Sequence, residues 1–133
     1  MYKRQQQASI AAWNDEAHVV ANRDKYRAKF AQVTPVVAEV LEVALPDASF
    51  YLWAKVRGSD VEFARGLLAQ YNVTVLPGSL LARETPAGNP GAGRVRLALV
   101  AEVDECLEAA HRIVSYVKAV SYTHLTLPTK RIV

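Results

Sequence analysis

GRVRLALVAEVDECLEAAHRI, Gly93 to Ile113, changes its apolar period in the middle. From Arg94 to Val100 charged and apolar residues alternate, so Val95, Leu97 and Leu99 face a core while Arg94 and Arg96 face the other way. From about Glu102 to Lys118 the period becomes helical. Val103, Leu107, Ala110, Val114 and Val117 form one stripe, with acids early and Arg112 and Lys118 late, as the helix dipole prefers. A half-buried strand feeding an amphipathic helix is the unit around which the remaining chain is read.

Upstream, Gln6–Trp13 reads as the end of a helix, and Asn14 as the N-cap of a second one. In that helix Val19, Tyr26, Phe30, Val33, Val37 and Val40 form one stripe. Pro35 predicts a kink or break near Thr34. Arg23, Lys25, Arg27 and Lys29, with Asp24, read as its solvated face. LEVAL and SFYLWAKV, on either side of Pro46-Asp47-Ala48, suggest a hairpin whose second strand is Phe50–Val56. Ser59-Asp60-Val61-Glu62 has the form of a capping box. Phe63, Ala64, Leu67, Leu68 and Tyr71 form the face of the helix it opens, and Asn72 is a natural stop. Val73–Leu76 reads as a short strand ending at Pro77-Gly78, and Ala82–Gly93 as a long turn-rich loop. The simplest architecture is α/β, an α+β sandwich: a small sheet with helices packed on one face.

The two ends do not share this patterning. Met1–Gln5 can be encoded by GTG TAT AAG AGA CAG, whose reverse complement lies in full within GCT GTC TCT TAT ACA CAT, an encoding of Ala119–His124. The ends are compatible with one inverted sequence resembling a transposon-end adaptor of sequencing libraries. The expectation is that residues 1–5 and 119–133 are translated adaptor and that residues 6–118 are an internal piece of a longer gene.

Trimming changes the charge. Sixteen basic and 13 acidic residues give +3, but without Lys3, Arg4, Lys130 and Arg131 the balance is 12 against 13, or −1. A nucleic-acid or membrane partner would call for a basic footprint that is then missing. One cysteine, Cys106, excludes an intrachain disulfide and suits a reducing compartment.

Chemistry-bearing residues are few. His18 and His111 lie on different helices, without a partner at metal-ligand spacing, and His124 is in the suspect tail. Cys106 reads as a packing residue, and Trp13 and Trp53 as core or interface aromatics. Arg96 is the informative residue, although its pattern alone favours a solvated strand arginine. A mid-strand arginine costs stability unless its guanidinium meets solvent or a carboxylate, whose geometry its planar fork matches.

Four stretches in order, NDEAHVVANRDKYRAKF (14–30), LPDASFYLWAKV (45–56), VTVLPGS (73–79) and GRVRLALVAEVDECLEAAHRI (93–113), resemble the small C-terminal domain of class I/II, fold-type I aminotransferases. Within that family the wording is most similar to the succinyldiaminopimelate transaminases of bacterial lysine biosynthesis. The resemblance implies a cytoplasmic, homodimeric parent enzyme that uses pyridoxal 5'-phosphate and exchanges an amino group between glutamate and an N-succinylated diaminopimelate. It puts Arg96 in the place of the substrate-carboxylate arginine, with Arg94 the lesser candidate. It implies no catalytic, cofactor-binding or metal-binding residue here, so the piece alone is expected to be inactive. Leu80-Leu81 departs from the Phe-Gly that often follows Pro-Gly-Ser, and Ala48-Ser49 replaces a pair that usually contains glycine. The alternative reading is a small α/β ligand-binding or regulatory module without catalysis.

Overall fold

The computed structural model describes residues 2–125 of the 133. Its elements are α1 (Lys3–Asn14), α2 (Glu16–Ala38), β1 (Tyr51–Lys55), α3 (Asp60–Tyr71), β2 (Leu76–Pro77), α4 (Gly78–Leu81), β3 (Arg94–Ala98) and α5 (Val103–Leu125). The three strands form one antiparallel sheet in the order β1-β3-β2. Val95 and Leu97 on β3 and Leu52 and Ala54 on β1 are buried, together with Val33 and Val37 of α2, Leu67 of α3, and Ala110 and Ile113 of α5. Helices α2 and α5 pack on each other, and α3 packs on α5 and the sheet. All the apolar alternation of the sheet is thus satisfied on one face, as the architecture read from the sequence requires.

The alternation of β3 and the helix that follows it stand as expected, but the helix does not stop at Lys118. It runs on to Leu125, because the residues after Lys118 include no glycine or proline before Pro128. Its stripe is also turned slightly: Cys106, Ile113 and Tyr116 are buried with Ala110 and Val114, whereas Leu107 and Val117 are partly covered. The remainder of the expected tail, residues 126–133, lies outside the described residues.

Several other expectations are corrected. The cap of α2 is Asp15, not Asn14; its carboxylate accepts from the Ala17 amide at 3.1 Å. Pro35 does not break α2. The hydrogen bond it cannot make would have gone to the carbonyl of Ala31, an exposed residue whose oxygen can turn to water. LEVAL forms no strand: only Glu42 bridges β1, accepting from the Lys55 amide at 2.9 Å, before the chain leaves the sheet toward Pro46. β2 is two residues long and shifted to Leu76–Pro77. Proline is tolerated there because β2 is an edge strand and needs no outward N–H. The four residues after it form a turn of helix before the long loop.

Lys29 is not on a solvated face. It is 8% exposed, its ammonium lies 4.8 Å from the centroid of Tyr26, and it donates to the Leu99 carbonyl at 3.1 Å. A long aliphatic stem lets a cation beside an apolar stripe cover it and still reach a strand-end carbonyl. Trp13 is not in the core. It is 82% exposed on α1, which buries none of its residues. Leu68, expected on the inner face of α3, is 48% exposed. Asn72 does end α3, in the left-handed region at φ 51°. No helix among the described residues is long and apolar enough to cross a membrane.

Leu67 and Leu68 therefore make a direct test of the helix orientation. Leu67→Ala is expected to lower the unfolding free energy by about 2–5 kcal/mol, and Leu68→Ala by less than about 0.5 kcal/mol, in urea denaturation.

Candidate functional site

The face of the sheet opposite the helices carries the side chains left over by the alternation. The register pairs Trp53 with Arg96, Lys55 with Arg94 and Tyr51 with Ala98, and directly opposed residues share a face. Tyr51, Trp53, Arg94 and Arg96 therefore stand together, all half-buried, at the floor of a concavity of about 900 Å³. One wall is the segment Glu42–Pro46 with Ala48 and Ser49; the other is Leu81 and Ala82.

Arg96 sits at the centre of this floor, on the central strand. Its guanidinium carbon lies 5.7 Å from the centroid of the Tyr51 ring, close enough for a cation–π contact. Its Nε atom is buried and has no hydrogen-bond acceptor. A buried donor of a charged group without an acceptor is costly, and a carboxylate seated in the concavity would supply the missing acceptor. Among the described residues no acid forms an ion pair with Arg96 or with Arg94.

The rim is held by a residue that the sequence reading passed over. Asp60, 5% exposed at the first turn of α3, accepts from the Ser79 amide at 2.8 Å and from the Gly93 amide at 3.4 Å. One carboxylate thus ties the start of α3 to the Pro77-Gly78-Ser79 turn and to the residue preceding β3. Asn89 adds a second tie, donating to the Ser79 carbonyl at 2.9 Å and accepting from the Gly91 amide at 2.9 Å. Gly78 and Gly91 meet backbone to backbone: a Cβ on Gly91 would lie 2.1 Å from the Gly78 carbonyl oxygen. The capping-box pattern hid Asp60, because Ser59 caps the helix by accepting from Glu62 at 3.2 Å while its neighbour does the bridging.

The opposite rim is strained at Ser49, which adopts φ 93°. Glycine takes that conformation readily and a residue with a Cβ does not, which accounts for the glycine expected at this pair.

The other candidates contribute nothing to the concavity. His18 pairs with Asp15 at 3.1 Å on the far end of α2, and the described residues contain no cluster that could hold a metal. Cys106 is buried, donates to the Ala101 carbonyl at 3.4 Å, and burial pushes its thiol pKa up, as fits a packing residue. Lys29 is committed to Leu99, Lys55 lies 3.4 Å from Glu42 and Lys118 lies 3.8 Å from Glu39. No described lysine lines the concavity.

Burial works to raise the pKa of Asp60, but hydrogen bonding from Ser79 and Gly93 outweighs it and holds the carboxyl below the usual range. A depressed pKa means stability that is fully present above about pH 4 and is lost as the pH falls through the lower folded value. Asp60→Asn is expected to cost about 1–3 kcal/mol at neutral pH and to flatten the acid limb of the stability profile, measured by denaturation at a series of pH values.

The chain matches known proteins along most of its length. Residues 4–113 match the family model described as aminotransferase class I and II. The chain is 32% identical over 118 residues to an LL-diaminopimelate aminotransferase of Nitratidesulfovibrio vulgaris, covering 85% of this chain and 29% of that protein. It is 36% identical over 106 residues to a probable aminotransferase of Mycobacterium tuberculosis, covering 79% of this chain and 23% of that one. Among solved structures, an aminotransferase of Neisseria meningitidis superposes with a TM-score of 0.79 at 56% identity, over 83% of this chain and 28% of that one. A probable N-succinyldiaminopimelate aminotransferase of Thermus thermophilus superposes with a TM-score of 0.65 at 30% identity, over 77% and 27%. The chain thus spans less than a third of the length of each of these relatives. With a family model that matches residues 4–113 and solved relatives that share the fold, the chain belongs to the aminotransferase class I and II family.

Proposed function

We propose that residues 6–118 are the carboxylate-binding part of a pyridoxal-phosphate-dependent transaminase, with Arg96 gripping the carboxylate of the amino-acid substrate. The observation that carries this reading is the buried Nε of Arg96, lacking an acceptor and set at the floor of an open concavity. Two parallel hydrogen bonds from the guanidinium fix both the position and the tilt of a carboxylate, and hence the position of the adjoining α-carbon. Trp53 and Tyr51 line the same floor with aromatic surface that sheds water once a substrate is seated.

When bound, pyridoxal phosphate supplies an electron sink beside the α-carbon. It needs an amine for its aldehyde and an acid under its ring nitrogen. The described residues do not fit it: no lysine lines the concavity, and the one acid there, Glu42, is engaged with Lys55. We place those groups in the part of the relatives that this chain does not span, in a homodimeric cytoplasmic enzyme, and no step through the cofactor is drawn from this chain.

The proposed reaction is amino transfer between glutamate and an N-succinylated diaminopimelate. The Thermus relative named for that substrate and the LL-diaminopimelate aminotransferases of Nitratidesulfovibrio vulgaris and Aquifex aeolicus support it. Family membership also disfavours a free-standing regulatory module.

In the full-length transaminase that carries this sequence, Arg96→Gln is expected to lower kcat/KM for glutamate about a hundredfold or more, and Arg96→Lys to recover only part of it, with the cofactor's absorption unchanged. Unaltered kcat/KM in both variants would remove the reading. The chain expressed alone is expected to leave a gel-filtration column colourless after incubation with pyridoxal phosphate.

A further inference from the structure

Trp53 and Gly78 stand on opposite sides of the central strand, Trp53 on β1 and Gly78 directly after β2. They nevertheless meet: a Cβ on Gly78 would lie 2.7 Å from Cη2 of Trp53. The indole must therefore lie across β3 on the open face, beside Arg96, the residue that its register position opposes. Its tip is seated on bare main chain, since the same Cβ would also lie 2.9 Å from the Arg94 carbonyl oxygen and 2.3 Å from that of Gly91. A flat ring held at its root by β1 and at its tip by Gly78 limits where the neighbouring guanidinium can swing. What keeps the seat in place lies off the open face. The ladder between β2 and β3 is only two pairs long, Leu76 with Arg96 and Pro77 with Val95, and it ends just before Gly78. Asp60 continues the hold by accepting from the amide of Ser79, the residue after Gly78, at 2.8 Å. The same carboxylate accepts from the amide of Gly93, the residue before Arg94, at 3.4 Å. Asp60 does not line the concavity, so it can act on the site only through these two attachments.

We propose that Asp60 is a positioning residue for the carboxylate site: by anchoring Ser79 and Gly93 it holds Gly78 beneath the tip of Trp53, and the indole in turn holds the Arg96 guanidinium in the orientation that receives a carboxylate. This rests on the reading of Arg96 given above and adds the support behind it. The chain of contacts runs from a buried acid on α3, through main chain, to an aromatic ring and then to the arginine, and each link uses groups that this domain itself contains. Asparagine at position 60 would break the first link, because its amide offers one acceptor oxygen and turns an N–H toward a second N–H.

The test is a set of kinetic constants for glutamate in the full-length transaminase, measured below the onset of thermal unfolding of every variant. Asp60→Asn is expected to raise KM about fivefold or more and to leave kcat within about twofold, because a loosened clamp weakens binding in the ground and transition states alike. Trp53→Phe, whose smaller ring falls short of Gly78, should raise KM as well. In the Trp53→Phe background Asp60→Asn should add less than about twofold, since two residues acting through one contact are not additive. Leu67→Val, which thins the core beneath the same helix, is the control for lost stability and should leave KM unchanged. An unchanged KM in Asp60→Asn, a rise that Leu67→Val matches, or effects that multiply in full in the double variant would overturn the proposal. Should Asp60→Asn not fold, Asp60→Glu takes its place, with a rise in KM of about twofold or more that Trp53→Phe again absorbs; no rise is the overturning result. If the Asp60 variants fail in this way while Arg96→Gln still lowers kcat/KM, the transaminase reading stands; if Arg96→Gln changes nothing, that reading falls as well.

Discussion

The strict alternation along β3 is the constraint on which the rest depends. Val95 and Leu97 point into the helices and are almost wholly buried, so Arg94 and Arg96 are obliged to point out of the other face. A one-residue slip in register would bury both guanidiniums among Val33, Val37 and Ile113 and expose the apolar pair. The cost of that error makes the position of Arg96 robust: its direction is set by the packing of the core beneath it. Because β3 is bonded on both sides, to β1 and to β2, the strand cannot rotate without breaking two ladders. The site inherits the rigidity of the core.

That arrangement also explains the division of labour between the faces. The helix-covered face holds the domain together by burial, whereas the open face holds charged and aromatic side chains at half exposure. Apolar burial and the exposed charged and aromatic groups thus lie on opposite sides of three short strands. Asp60 connects the two. It belongs to α3 and is buried with it, yet its carboxylate anchors Ser79 and Gly93 at the rim. A helix packed on the core is in this way coupled to the loops that frame the concavity.

Which parts were legible in the sequence follows from which signals are local. β3, α5 and α3 could be read because each writes its partner face as a regular period, and Asn72 could be read because a left-handed stop has few suitable residues. The alternation put Arg96 on the open face but by itself left it a solvated strand arginine; the resemblance of the surrounding stretches is what assigned it a carboxylate. The false hairpin arose because LEVAL has strand composition but its chain pairs at one residue only; composition does not encode the direction in which Pro46 sends the chain. Lys29 was misread because its aliphatic stem and distant acceptor, Leu99, are separated by seventy residues. Asp60 was hidden for a similar reason: both of its partners are backbone amides on other elements, and no side-chain pattern records them.

The backbone contact between Gly78 and Gly91 also sets where the long loop begins and ends. It closes the base of the intervening segment like a clasp, with no room for a side chain at either point. Ser79 and Asn89, just inside the two glycines, reinforce that closure with their own hydrogen bonds. The stem of the loop is therefore closed by main-chain contact, and the strand that starts at Arg94 leaves from a point that no side chain can prise open.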